Sequence, residues 1–294
     1  MNSAASRPFC SAPRMKSWAR KIPQEIDLMH SELEIQRLRH PLRFRKLQVS
    51  RIARLSPTML RITLAGDELD GFVSASFDDH MKLFFPASGK TLPALPTAVS
   101  DSGIQFPADQ PRPAMRDYTP RRYDADAGEL DIDFVVHDGG VAADWARGAA
   151  PGDWLGLGGP RGSRVIPAGF DWHWLLGDES ALPAIARRLE ELPAEAKGMA
   201  WILVDDADCR IRVTAPEGLE VVWLQRDRHE SLEQALSSRA LPDGEGFVWG
   251  AGESGEMRAV HALLKQRGLA KERMRVAGYW KRGDAGAHES IGEE

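Results

Sequence analysis

Between Leu42 and Ile166 apolar and polar positions alternate in short runs. "LRITLAG" sets Leu60, Ile62 and Leu64 on one face, and "ELDIDFVVHD" does the same with Leu130, Ile132, Phe134 and Val136. Side chains two residues apart project to the same side of a strand, so each run has one apolar face and one wet face. Gly and Pro separate the runs, and this pattern predicts an antiparallel β-barrel. Within it the stretch from Pro86 to Pro113, rich in Pro, Ser, Thr and Asp, reads as a long surface loop.

The grammar changes near residue 168. "WHWLLG", "GMAWILVDD", "LEVVWLQ", "GFVWGAG" and "RMRVAGYW" are continuously apolar strand candidates, and helical patterns alternate with them. In "DESALPAIARRLEEL" Leu182, Ile185 and Leu189 share a helical face, Ser180 reads as the N-cap, and Pro183 falls in the first turn. Further helices are expected at "SLEQALSS" and at "GEMRAVHALLKQRG", the latter stopped by Gly268. Buried strands alternating with helices imply a parallel sheet between helix layers.

A length of 294 residues is ample for two domains with separate cores, and 43% hydrophobic with 28% charged residues describes an ordinary globular composition. No apolar run approaches the roughly 20 residues of a membrane-spanning helix, so stable membrane insertion is not expected. Cys10 and Cys209 form neither a disulfide framework nor a cluster spacing, and the scattered histidines give no metal-ligand pattern. No protein-bound metal is expected. Residues 1–54 carry twelve basic and four acidic residues, about +8, which leaves about −13 for the rest against a net of −5. The arm lacks the interleaved aromatics of a nucleic-acid surface and the apolar block of a secretory signal. It reads as a partly disordered basic extension of a cytoplasmic protein, with Met15 and Met29 as alternative starts.

Candidate chemistry follows from this order of parts. In open α/β sheets ligands sit beyond the carboxyl ends of the strands, here near "GDES" (Gly177 to Ser180) and "GAGES" (Gly250 to Ser254). Neither turn has the full glycine fingerprint of a dinucleotide site. In "MRDYTPRRYD" Arg116 and Tyr118 project to one face of a strand, where they can hold a phosphate and a flat ring together, with Thr119 at the strand end. The small residues of "HDGGVAAD" expose successive N–H donors suited to a pyrophosphate. A dinucleotide with a planar ring fits both, and a flavin is the economical candidate.

The chain resembles the siderophore-interacting proteins, flavin-dependent ferric-siderophore reductases of the ferredoxin reductase-like superfamily. The resemblance rests on "DDHMKLFFP", "MRDYTPRRYD", "LDIDFVVHDGGVAADWA", "PGDWLGLGGPRGS", "LLGDESALPAIARRLEELP", "VWGAGESGEMRAVHALL" and "VAGYWKRG", in that order. It implies an antiparallel FAD-binding β-barrel over 42–167 and a parallel-sheet NAD(P)H-binding α/β domain over 168–283, while charge and polarity mark residues 1–41 as a basic N-terminal extension and 284–294 as a polar tail.

The resemblance also implies roles. Arg116, Tyr118 and Thr119 match the family's flavin motif, and His137, Gly140, Val141, Ala142, Ala143 and Trp145 match its second flavin segment. Many members carry a hydroxyl residue where Ala143 stands, which leaves backbone N–H groups to serve the pyrophosphate here. Asp178, Glu179 and Ser180 match a block beside the nicotinamide nucleotide, and Tyr279 and Trp280 match an aromatic pair near the flavin. Lys82, Arg161, Lys281 and Arg282 match the basic groove that receives a ferric siderophore.

The implied reaction passes hydride from NADPH or NADH to FAD and then single electrons to Fe(III), which needs no protein nucleophile. Asp205 and Asp206 would favour a free ribose 2′-hydroxyl, Arg210 and Arg226 a 2′-phosphate; the family resemblance favours NADPH, with ferredoxin as another possible donor. Two other readings are a general flavin or ferredoxin-type reductase and a non-catalytic siderophore-binding module.

Overall fold

The computed structural model describes residues 33–100, 103–284 and 289–292. Residues 1–32, most of the basic extension and both alternative starts, lie outside the described residues. The first half builds strands β1 (Gln36–Arg39), β2 (Phe44–Ser56), β3 (Met59–Ala65), β4 (Met81–Phe85), β5 (Ala98–Ser100), β6 (Gly103–Gln105), β7 (Ala114–Tyr118), β8 (Arg122–Asp124) and β9 (Glu129–Val135), then helix α1 (Val141–Gly148) and strands β10 (Trp154–Gly158) and β11 (Gly162–Val165). Seven of these strands pair antiparallel in the order β7-β4-β10-β2-β3-β9-β8.

The alternation read from the sequence decides which way this sheet faces. Leu60, Ile62 and Leu64 on β3 lie opposite Phe134, Ile132 and Leu130 on β9, and all six are buried. Leu47 and Val49 of β2, Leu83 and Phe85 of β4, and Leu155 and Leu157 of β10 join Ile62, Leu64, Leu130, Ile132 and Phe134 in one core cluster, which requires the sheet to curl into a half-barrel. Each such side chain contributes roughly 1.5–3 kcal/mol by leaving water. The Pro-rich loop carries a small hairpin of its own, β5 with β6.

The second half forms β12 (Trp172–Asp178), α2 (Leu182–Glu191), β13 (Gly198–Val204), β14 (Leu219–Gln225), α3 (Leu232–Ser237), β15 (Gly246–Glu253), α4 (Ser254–Gln266), β16 (Met274–Trp280) and β17 (Glu289–Ile291). The order is β14-β13-β12-β15-β16-β17, parallel except for β17, and the strand order reverses between β12 and β15. Among the described residues no helix is long and apolar enough to cross a membrane.

Three sequence expectations are corrected here. The segment read as a polar tail supplies β17, which pairs with β16 from Val276 to Gly278. The end of the basic extension supplies β1, which pairs with β11, while Leu33 and Ile35 pack on the core. Ser180 is not the N-cap of α2: that helix starts at Leu182 after Ala181, and the Ser180 hydroxyl turns back to donate to Asp178.

The two halves share one core. Met59 and Phe77 from the barrel pack into the cluster that holds Leu175, Ile185, Phe247 and Trp249. Arg187 of α2 donates to the Ser74 hydroxyl at 2.8 Å and to the Pro120 carbonyl at 2.9 Å. Arg121 forms a two-bond pair with Glu190, at 2.9 and 2.5 Å. A paired guanidinium is the form in which such a charge tolerates burial.

Candidate functional site

β7 carries the first candidates. Arg116 and Tyr118 sit opposite Leu83 and Met81 of β4, two residues apart along β7, so they share a face as expected. The Tyr118 ring lies 4.5 Å from the Phe134 ring, and burial pushes its phenol up against the opposing pull of Arg116. Arg116 stays half-exposed, with one guanidinium nitrogen bonded to the Met115 carbonyl. Thr119 is buried where the strand ends, and Pro120 and Arg121 are the residues gripped by α2.

α1 stands against this strand through aromatics. Trp145 packs 5.6 Å from Phe134 and 5.7 Å from Phe85, which places Tyr118, Phe134 and Trp145 in one continuous group. Gly139 and Gly140 turn into the helix with φ of 76° and 102°, in the left-handed region that side chains resist. The N-cap Gly140 gives no side-chain bond to the first helical N–H groups. A Cβ added at Gly139 would meet nothing within 4 Å, and one at Gly140 would meet the His137 ring at 3.3 Å. Ala142 and Ala143 are buried against the barrel while Val141 is exposed. Arg147 donates to the His137 carbonyl at 2.7 Å and pins the turn.

A flavin dinucleotide fits this donor set. The uncapped amides and the helix dipole offer a place for a pyrophosphate, Arg116 offers a charge, and Tyr118 with Trp145 offers a flat apolar wall. Ala143 adds no hydroxyl, so the phosphate donors at this turn are backbone groups.

The second site gathers on Asp178, 1% exposed at the carboxyl end of β12. Its carboxylate accepts from the Ser180 N–H at 2.9 Å, the Glu253 N–H at 3.0 Å and the Trp280 indole N–H at 2.7 Å. It therefore ties together the ends of β12, β15 and β16, at the point where the strand order reverses. Glu179 accepts from the Asp205 N–H and pairs with Arg226 at 2.7 Å; burial pushes its carboxyl up, and Arg226 pulls it back. Arg226 also pairs with Asp205 at 2.9 Å. With Asp178 at 4.0 Å, the guanidinium expected to receive a 2′-phosphate is thus surrounded by three carboxylates.

Tyr279 completes the junction. Its ring packs edge-on to Trp249 at 6.3 Å, and burial raises its phenol, with Asp78 adding most and Asp117 of the β7 motif adding further. Tyr279 precedes Trp280, the indole donor to Asp178, at the end of β16.

The basic candidates are spread over three segments. Lys82 pairs with Asp117 at 2.8 Å, and Arg161 lies exposed in the β10–β11 turn, where its carbonyl accepts from His40 N–H. The Lys281 carbonyl accepts from the Asp284 N–H at 3.0 Å in a backbone bridge, and the Arg282 N–H reaches Glu253 at 3.3 Å. Sequence reading missed Asp117 as the partner of Lys82, although it stands inside the quoted motif. It also missed Asp78, which accepts from the Trp249 indole at 2.9 Å and pairs with Arg275.

Comparison with known proteins gives the same picture. Residues 48–164 match the siderophore-interacting FAD-binding domain, and residues 170–283 match the siderophore-interacting protein domain. The chain is 40% identical over 248 residues to an NADPH-dependent ferric-chelate reductase of Escherichia coli, covering 83% of this chain and 96% of that one. It is 37% identical over 238 residues to the ferric vibriobactin reductase ViuB of Vibrio cholerae, covering 78% and 86%. A crystal structure of a siderophore utilization protein from T. fusca superposes with a TM-score of 0.80 at 42% identity, covering 86% of this chain and 98% of that one. Ferredoxin reductases share the two-part architecture at much lower identity, which shows the fold alone.

Proposed function

The chain belongs to the siderophore-interacting protein family, and from that premise we infer how its residues divide the work of a flavin-dependent, NADPH-driven ferric-siderophore reductase. When bound, FAD supplies a hydride acceptor that can return electrons singly to Fe(III). The protein then needs to bind, orient and exclude water, which accounts for a site without a nucleophile.

Arg116 and the amides that open α1 hold the phosphates, and Tyr118 with Trp145 fixes the ring plane. Asp178 sets the floor on which the nicotinamide nucleotide lies: buried and fully engaged, it positions Trp280 and the Glu253 turn rather than touching the ligand. Tyr279, packed edge-on to Trp249, serves the flavin ring. Lys82, Arg161, Lys281 and Arg282 receive the ferric chelate, with Asp117 offsetting the charge of Lys82. Reduction to Fe(II) weakens the hold of hard oxygen ligands, and iron is released.

The observation that carries this reading is the Asp178 hub at the strand-order reversal, where the ends of β12, β15 and β16 are tied together in a half that shares its core with the barrel. Anaerobic stopped-flow tests it. NADPH should bleach the bound flavin, and a ferric chelate should then restore its colour; bleaching without reoxidation by any chelate would leave a general flavin reductase, and no bleaching would leave a binding module. Reduced ferredoxin in place of NADPH tests the alternative donor in the same cell. NADPH dependence assigns this work to the cytoplasm, which subcellular fractionation checks.

A further inference from the structure

A cavity of about 180 Å³ opens at the end of the barrel where β2 begins, lined by His40, Arg43, Arg45, Gly71, Val73 and the Gly159–Pro160 turn. That is well above the roughly 10–15 Å³ that one water requires on this measure, and enough for a small anion. Its charge is one-sided. Arg45 is 4% exposed; its hydrogen bonds run to two neutral carbonyls, those of Glu68 at 2.7 Å and Gly71 at 3.3 Å, and its guanidinium lies over the Phe72 ring at 5.4 Å. Among the described residues no carboxylate forms an ion pair with Arg45 or Arg43. The nearest acid in sequence, Glu68, gives its carboxylate to the Lys46 N–H at 2.6 Å.

A buried cation with no carboxylate at ion-pair distance is costly, and a second cation beside it adds to the cost. Burial, and after it the repulsion of Arg43, hold the Arg45 guanidinium below its ordinary value, against a smaller opposing pull from Tyr123 and Glu68. Gly71, with φ of 66°, keeps the mouth open, because a Cβ there would lie 3.1 Å from an Arg43 nitrogen. His40 forms the remaining polar wall: Ser163 Oγ donates to Asp79, so the His40 Nε2–H donates to Ser163 at 2.7 Å.

We propose that the His40–Arg43–Arg45 cavity is a binding site for a small oxyanion, a carboxylate or phosphate group, separate from the flavin and nucleotide sites. It lies on the same barrel rim as the proposed chelate groove. Asp117, Lys82, Gly158 and Phe44 form one row across β7, β4, β10 and β2, so the cavity is about three strand spacings, roughly 14 Å, from the flavin motif. The oxyanion can therefore come from a carboxylate arm of the ferric chelate or from a free anion in solution. The substrate version rests on the reductase reading; the anion site does not.

Isothermal titration of the full-length, FAD-loaded protein with inorganic phosphate and with iron-free citrate tests the site without turnover. Wild type should bind at least one of them, and Arg43→Gln, a change at an exposed position, should weaken binding by fivefold or more. Arg45→Met should abolish it, with circular dichroism as the check on folding. The two sources separate in the ratio of kcat/KM for ferric citrate to that for an uncharged ferric hydroxamate, in which general damage cancels. A ratio that falls in Arg43→Gln identifies the chelate's carboxylate; an unchanged ratio with binding lost identifies a free anion. Absence of binding in wild type, or equal binding in wild type and Arg43→Gln, overturns the proposal. Failure of both chelates to be reduced would overturn the reductase reading and leave the titration result standing.

Discussion

Lys82 and Asp117 face each other directly across β4 and β7, with the Lys82 ammonium 2.8 Å from one carboxylate oxygen and 3.0 Å from the other. The positive charge offered to an anionic chelate is therefore already partly neutralised. Asp117→Asn frees it at nearly constant shape. Both groups are partly in water, so the gain should be about 1 kcal/mol or less, up to about fivefold in kcat/KM. It should appear with anionic ferric chelates, vanish with uncharged ones and shrink as salt rises. An equal gain with uncharged chelates would show that the pair acts on something other than charge.

Arg116→Ala should lower flavin occupancy. A charge-assisted contact to phosphate is worth roughly 1.5–3 kcal/mol, or about a 10- to 150-fold weaker Kd. The ratio of flavin to protein absorbance after dialysis measures it, and full occupancy would remove Arg116 from the site.

Trp280→Phe takes one donor from the buried Asp178 carboxylate and keeps the ring. The expected cost is roughly 1.5–3 kcal/mol in urea unfolding, with a lower affinity for NADPH. Asp178→Ala should cost more, since it strands the Trp280 and Glu253 N–H donors together.

His173 sets a pH dependence. It is 1% exposed, and burial, followed by Arg188, depresses its pKa to about 4, although the Ala168 carbonyl opposes this. The unfolded imidazole titrates near pH 6.5, so between about pH 4 and 6.5 the unfolded chain binds more protons. Stability from this group is complete above that window and falls by up to about 3 kcal/mol as pH drops through it. His173→Gln should flatten the slope in urea titrations from pH 4.5 to 7; an unchanged slope assigns it to other groups.

Truncation separates two parts of the extension. A chain starting at Leu33 keeps β1 and the packing of Leu33 and Ile35, whereas one starting at Pro41 loses all three. The difference should be roughly 2–4 kcal/mol in favour of the longer chain, read from thermal unfolding.

The barrel strands were legible because a period of two reports directly which face is buried, and Leu60, Ile62 and Leu64 follow it without exception. Arg116 and Tyr118 were placed by the same rule. What could not be read were contacts between distant parts of the chain. Asp78 meets Trp249 and Arg275 across separations of 171 and 197 residues, which no local pattern encodes. Ser180 misled because a hydroxyl before a helix has a local partner in the N-terminal amides, and here a buried carboxylate two residues earlier competed successfully for it. β1 and β17 are short edge strands whose polar composition hides their pairing.

Met59 and Phe77 belong by chain position to the barrel and by packing to the α/β half. Neither half can then keep a dry interior when the other melts, and heating should take both apart in a single calorimetric transition. The spacing between hydride donor and acceptor is consequently a by-product of folding rather than of a hinge. A hybrid that joins this barrel to another reductase's nucleotide half would have to rebuild that shared interior before it could transfer an electron.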